Sequence, residues 1–205
     1  MRSIFANGLS KSLLRTRSYR FAAAKSFGPS LSDALKEGVQ QCAKMLTSEA
    51  NFCQLLISPQ YSNPHEAPQI ALEQIEECTG RVPALIGGVI PGIVGGHEVS
   101  ASFNMPAVSV MLGCLPDTTI TPFAIKSAAL PIKADQWLSI KGDATKSSGV
   151  IMFVDPWFDG MDRLLFRLSS LLPATPAVGG KLQPSVAPDG THGLAFLNDG
   201  VVADG

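Results

Sequence analysis

Apolar positions along the chain change period several times, and each change marks an element. Over residues 29–48, Leu31, Leu35, Val39, Cys42 and Leu46 recur at helical spacing, with Ser30 or Ser32 placed to cap the first turn. Residues 52–57 are a short continuous apolar run closed by Ser58-Pro59, the pattern of a strand covered on both faces. A proline-containing loop over 61–68 leads to a second helix over 69–79, with Ile70, Leu72 and Ile75 inward and Glu73, Glu76 and Glu77 outward; Gly80 ends it.

Residues 84–96 read as strand, glycine turn, strand, and residues 106–115 as the clearest strand of the chain, turned by Pro116-Asp117. A weaker strand falls at 137–141. The apolar run 149–154 leads into Asp155-Pro156, a pair suited to the N-cap and first residue of a helix. That helix points Leu164, Leu165, Leu168 and Leu172 inward and Arg163 and Arg167 outward, and Pro173 stops it. Two short strands follow at 177–180 and 193–197, with a loop over 184–190 between them. Asn198-Asp199-Gly200 then forms a hairpin turn into Val201-Val202. The return arm is short enough to predict a chain cut within its hairpin. No internal repeat or low-complexity tract is expected. The pattern predicts an α/β or α+β domain with a layered mixed sheet flanked by helices.

Composition supports a packed, turn-rich domain. Gly (19) and Pro (15) are over-represented in 205 residues, and charged residues are only 16%, against about 25% in ordinary domains. The net charge of −1 argues against a nucleic-acid partner. Its distribution is uneven. Arg2, Lys11, Arg15, Arg17, Arg20 and Lys25 precede the first acid, Asp33. Phe5, Leu9 and Leu13 share a helical face roughly opposite Lys11 and Arg15. A basic, hydroxyl-rich, acid-free, amphipathic start is the composition of a mitochondrial transit peptide, drawn inward by the membrane potential. Residues 1–27 are therefore expected to be a helical or disordered import signal, processed near Phe21-Ala22-Ala23, and 28–205 a single matrix domain. A basic surface helix on acidic lipid is the plainer alternative. The uncharged run VPALIGGVIPGIVGG at 82–96 is too short for a span of about 20 residues and is broken by Pro91 and glycines, so no membrane span is expected.

Candidate chemistry is sparse. Cys42, Cys53, Cys78 and Cys114 form no CxxC pair, and His65, His97 and His192 lie far apart, so no metal spacing is present. Cys53 and Cys114 read as small core residues. The glycine segment IGGVIPGIVGG lacks both GxGxxG and GxxxxGK[ST], so it reads as close backbone approach or positive-φ positions; exposed amides at Gly87, Gly88, Gly95 and Gly96 are the alternative, for a small ligand. Asp155, Asp159 and Asp162 could hold a divalent cation, but helix capping and the helix dipole account for them more simply. His97 and His192 are loop histidines, and no GxSxG is present.

Three stretches together resemble the N-terminal FIST domain (F-box and intracellular signal transduction): LLISPQY at 55–61; ALIGGVIPGIVGG at 84–96 followed by PAVSVMLGCLP at 106–116; and VIMFVDP at 150–156 with PAVGG at 176–180. The ending LNDGVVADG resembles the family's turn before a further strand. The resemblance covers about residues 40–205. It implies a sensor of small ligands, amino acids among them, or a module that follows an F-box in ubiquitin-ligase substrate receptors. An F-box-like segment and the second, C-terminal FIST domain are not read here, and the resemblance carries over no catalytic residue. The expected function is a small-ligand-binding signalling module whose site is lined by Gly87, Gly88, Gly95, Gly96, His97, Asp155, Gly179 and Gly180. It is expected to take a small molecule or a protein partner, with no cofactor and no metal. A non-catalytic interaction scaffold is the alternative, and an enzyme using Asp155 or His97 as acid or base comes third.

Overall fold

The structure is a computed structural model. It describes residues 18–93, 105–126, 130–131, 136, 148–171, 173, 175–182 and 194–202. The class is α+β: the described residues form a six-stranded mixed sheet, a separate two-stranded sheet and three α-helices whose bounds are defined. Strands β1 (Arg20–Phe27), β2 (Phe52–Ile57), β3 (Ala84–Val89), β4 (Ala107–Cys114), β7 (Ala195–Leu197) and β8 (Gly200–Val202) form the large sheet in the order β1-β4-β2-β3-β7-β8. Only β2 and β3 run parallel; every other neighbouring pair in it is antiparallel. Strands β5 (Val150–Val154) and β6 (Ala177–Lys181) pair in parallel as the small sheet.

Helices α1 (Leu31–Leu46) and α2 (Ala67–Thr79) cover one face of the large sheet. Ser30 caps α1 by accepting the Asp33 N–H, and Gly80 closes α2 in the left-handed conformation at φ 74°. Between them and the sheet lie the fully buried Leu35, Val39, Leu55, Ile57, Ile75 and Leu85. Burial of each such side chain is worth about 1.5–3 kcal/mol. The Cys42 thiol sits in this layer and donates to the Val110 carbonyl, while Cys53 is fully buried and Cys114 packs at its margin. A second cluster, including Val150, Val154, Phe158, Leu164 and Leu168, joins the small sheet to helix α3 (Met161–Leu171).

Several expectations are corrected. Residues 20–27 are not part of a helical or disordered leader; they form the edge strand β1, in register with β4 from Arg20↔Cys114 to Phe27↔Ala107. Ala22, Ala24 and Ser26 alternate inward, and Ser26 donates to Glu37 of α1. The folded unit therefore starts before residue 28, and cleavage near Phe21-Ala22-Ala23 would cut a paired strand. The facing residues Phe5, Leu9 and Leu13 lie outside the described residues, as does the strand expected at 137–141. Gly87-Gly88 is no turn: both are interior residues of β3, paired with Leu55 and Leu56. Asp155 does not cap α3, which begins six residues later at Met161; it closes a turn instead. Leu165, expected inward, is 40% exposed.

The structure also holds a repeat. Strand β2, helix α2 and strand β3 form a parallel β-α-β unit, and β5, α3 and β6 form another. Leu55-Leu56-Ile57-Ser58-Pro59 matches Met152-Phe153-Val154-Asp155-Pro156, and Ile86-Gly87-Gly88 matches Val178-Gly179-Gly180. The registers agree: Leu55 pairs with Gly87, and Met152 with Gly179. The bonds that close each pair agree as well. Ile90 N–H donates to the Ile57 carbonyl at 2.9 Å, and Leu182 N–H to the Val154 carbonyl at 2.8 Å.

Candidate functional site

Helices α1 and α2 leave the opposite face of the large sheet uncovered by helix, and the small sheet with α3 stands against it. Between them lies a cavity of about 860 Å³, within the size range of small-molecule sites. Its wall on the large sheet includes Phe52, Ile86, Gly87, Ala195 and Leu197; β5 from Val150 to Val154 and Leu164 and Leu168 of α3 form the other side. The segment 117–125 closes a third side with Thr118, Thr119, Thr121 and Phe123.

Asp155 lies just past the carboxyl end of β5 and lines this cavity. Ligands of open α/β sheets gather at strand carboxyl ends. The turn Asp155-Pro156-Trp157-Phe158 holds the side chain in place. Its Oδ1 accepts the Trp157 N–H at 2.7 Å, and its main-chain carbonyl accepts the Phe158 N–H at 3.0 Å. The residue is only 7% exposed, and Oδ2 has no hydrogen-bond partner among the described residues. A buried carboxylate oxygen in that state is costly to the fold. Asp117, exposed beside the threonines, is the other charged side chain among the described lining residues.

Of the expected site residues, Gly87 and Asp155 meet in this cavity. Gly88, Gly179 and Gly180 are not among its described lining residues, and Gly95, Gly96 and His97 lie outside the described residues, as does His192. The glycines serve close strand contact. A Cβ at Gly87 would stand 1.7 Å from the Leu55 carbonyl oxygen, and one at Gly179 1.9 Å from that of Met152. Gly88 lies against the Leu194 carbonyl and the Leu182 side chain. Asp155, Asp159 and Asp162 make no metal centre: no group of three His, Cys, Asp or Glu able to hold an ion occurs among the described residues.

Sequence reasoning missed the cavity wall. Its signal was present: strands β2, β3 and β7 keep apolar residues such as Phe52, Ile86 and Leu197 on the face away from the helices, where a solvated sheet would alternate to polar. The thiols stay outside this chemistry. Burial pushes the Cys42 thiol up to about 11 and the Cys53 thiol higher still, so neither supplies a thiolate near neutrality. No helix among the described residues is long and apolar enough to cross a membrane. No family model and no curated protein matches the chain.

Proposed function

We propose that the protein is a small-ligand-binding module of the FIST type, and that the space between its two sheets is the binding site. The observation that carries this reading is the cavity of about 860 Å³ with a buried, half-satisfied carboxylate on its wall. Apolar walls with a few convergent polar groups are the usual make-up of such sites. Small metabolites are the ligand class, amino acids being the one the resemblance implies. The basic, acid-free N-terminus supports action in the mitochondrial matrix.

A thermal melt of the full chain against a panel of amino acids, amines and other small metabolites tests it. A ligand that binds only the folded chain adds about 2.7 kcal/mol at a hundredfold excess over Kd. A midpoint raised by one compound class supports the reading; a cooperative melt that no compound shifts contradicts it. Trp157, Phe166 and Val178, 61%, 73% and 60% exposed on the second unit, favour a second reading as a protein-interaction scaffold, which predicts that unmoved melt.

A further inference from the structure

Four large apolar side chains that stay exposed, Tyr19, Phe21, Ile151 and Val178, line the cavity and are between 42% and 64% exposed. They come to it from both sides. Tyr19 and Phe21 stand at the start of β1 on the large sheet. Ile151 and Val178 are partners in register across β5 and β6, so they lie side by side on one face of the small sheet. Exposed apolar residues scattered singly need no explanation, but apolar side chains gathered in one concavity mark a place where an apolar partner is bound. Covering them takes apolar surface out of water, and that is the gain the empty cavity holds in reserve.

Size and polar groups narrow the partner further. A water-sized group occupies about 30 Å³, so a cavity of about 860 Å³ takes on the order of 25–30 non-hydrogen atoms, roughly twice the largest amino acid. A concavity of that volume fits a whole small molecule rather than the flat face of a protein. Thr118, Thr119 and Thr121, all exposed, bring hydroxyls to one stretch of the same lining, and hydroxyls both donate and accept. Asp117 beside them opposes an anionic group at that end. We infer that the cavity takes a neutral amphiphile: an acyl or alkyl body that covers Phe21, Ile151 and Val178, and a hydroxyl-bearing head at the threonines. A free amino acid would leave much of the apolar lining in water. This inference rests on the cavity being the binding site.

The test is calorimetric titration of the full chain with butyl, hexyl and octyl glucoside, octanoate and leucine, all below micelle formation. Each buried methylene is worth about fourfold in affinity, so binding should tighten by about fivefold or more from butyl to hexyl and again from hexyl to octyl glucoside. Octanoate, with a similar tail and an anionic head, and leucine should each bind about tenfold weaker than octyl glucoside or worse. The double variant Ile151→Thr with Val178→Thr keeps β-branched side chains at exposed strand positions, and a retained cooperative melt shows that it folds. It should lose about fivefold or more in affinity for octyl glucoside. Met45→Thr, equally exposed on α1 and outside the described lining, should lose nothing. Affinity independent of chain length, leucine or octanoate binding as tightly as octyl glucoside, or full affinity in the double variant overturns the assignment, while a metabolite that shifts the melt keeps the cavity as a binding site. Binding of none of the five overturns it too, and together with an unshifted metabolite panel removes the cavity reading as well.

Discussion

Ser58 and Asp155 occupy the same position in two copies of one β-α-β unit, and the fold satisfies the side chain of the first but only half of the second. Ser58 Oγ accepts from β4, while Asp155 spends one oxygen on its own turn and leaves the other buried without a partner among the described residues. The copies have thus diverged at the position where a strand end meets a loop, the common place for ligand contacts on parallel strands. The first copy is built into the large sheet, and both copies border the cavity, the first through Phe52, Ile86 and Gly87 and the second through β5 and Asp155.

The paired glycines give the sharpest stability prediction. Gly87→Ala and Gly179→Ala each force a Cβ to within 2 Å of a main-chain oxygen, so a strand must shift. Gly87 lies at the centre of the large sheet, and its substitution should cost more than about 2 kcal/mol, at the upper side of the overpacking range. Gly180→Ala, with open space around its Cβ, should stay within about 0.5 kcal/mol. Urea unfolding of the three variants checks the order.

Residues 20–27 should be indispensable. A chain beginning at residue 28 loses the strand that covers the β4 edge and the inward side chains of Ala22 and Ala24. It should melt well below a chain beginning at residue 18, or lose its cooperative transition. Equal melts for the two chains would show that β1 adds nothing to the fold.

The thiols predict an alkaline weakness. Burial raises Cys42 from 9.0 to about 11 and Cys53 further, and it raises Tyr61 from 10.0 to about 12. The unfolded chain then releases these protons first. Their contribution to stability is intact below pH 9 and declines as pH rises from 9 toward 11, with tyrosine adding to the fall above pH 10. Cys42→Ala should flatten the decline. In the folded protein at pH 8, a thiol reagent should modify the exposed Cys78 promptly and Cys42 and Cys53 only on unfolding.

Much of this architecture was legible in the chain. The apolar run 52–57 coincides with β2, and the periodic run around Val39 and Cys42 with α1, because their patterns agree with their surroundings. Three features were not. Strand β1 is rich in alanine and bases, and only pairing with β4 makes it extended. Gly87-Gly88 carries turn-like composition, yet its function is contact with β2, which lies far off in sequence. Asp155-Pro156 fits a helix start equally well as a turn, and local residues do not decide between them. At the site, Gly87 and Asp155 were identified from sequence, whereas the cavity wall is assembled from segments as distant as Phe52 and Leu197.

The most direct test of the central claim, that the space between the two sheets holds a ligand, is an amide chemical-shift map of the labelled protein with the compound giving the largest melt shift. The account predicts the largest changes at Asp155, Trp157, Ile86, Gly87 and Ala195, which surround the cavity or its turn. Changes centred instead on α1 and α2, around Val39 and Ala71 on the far side of the sheet, would contradict it.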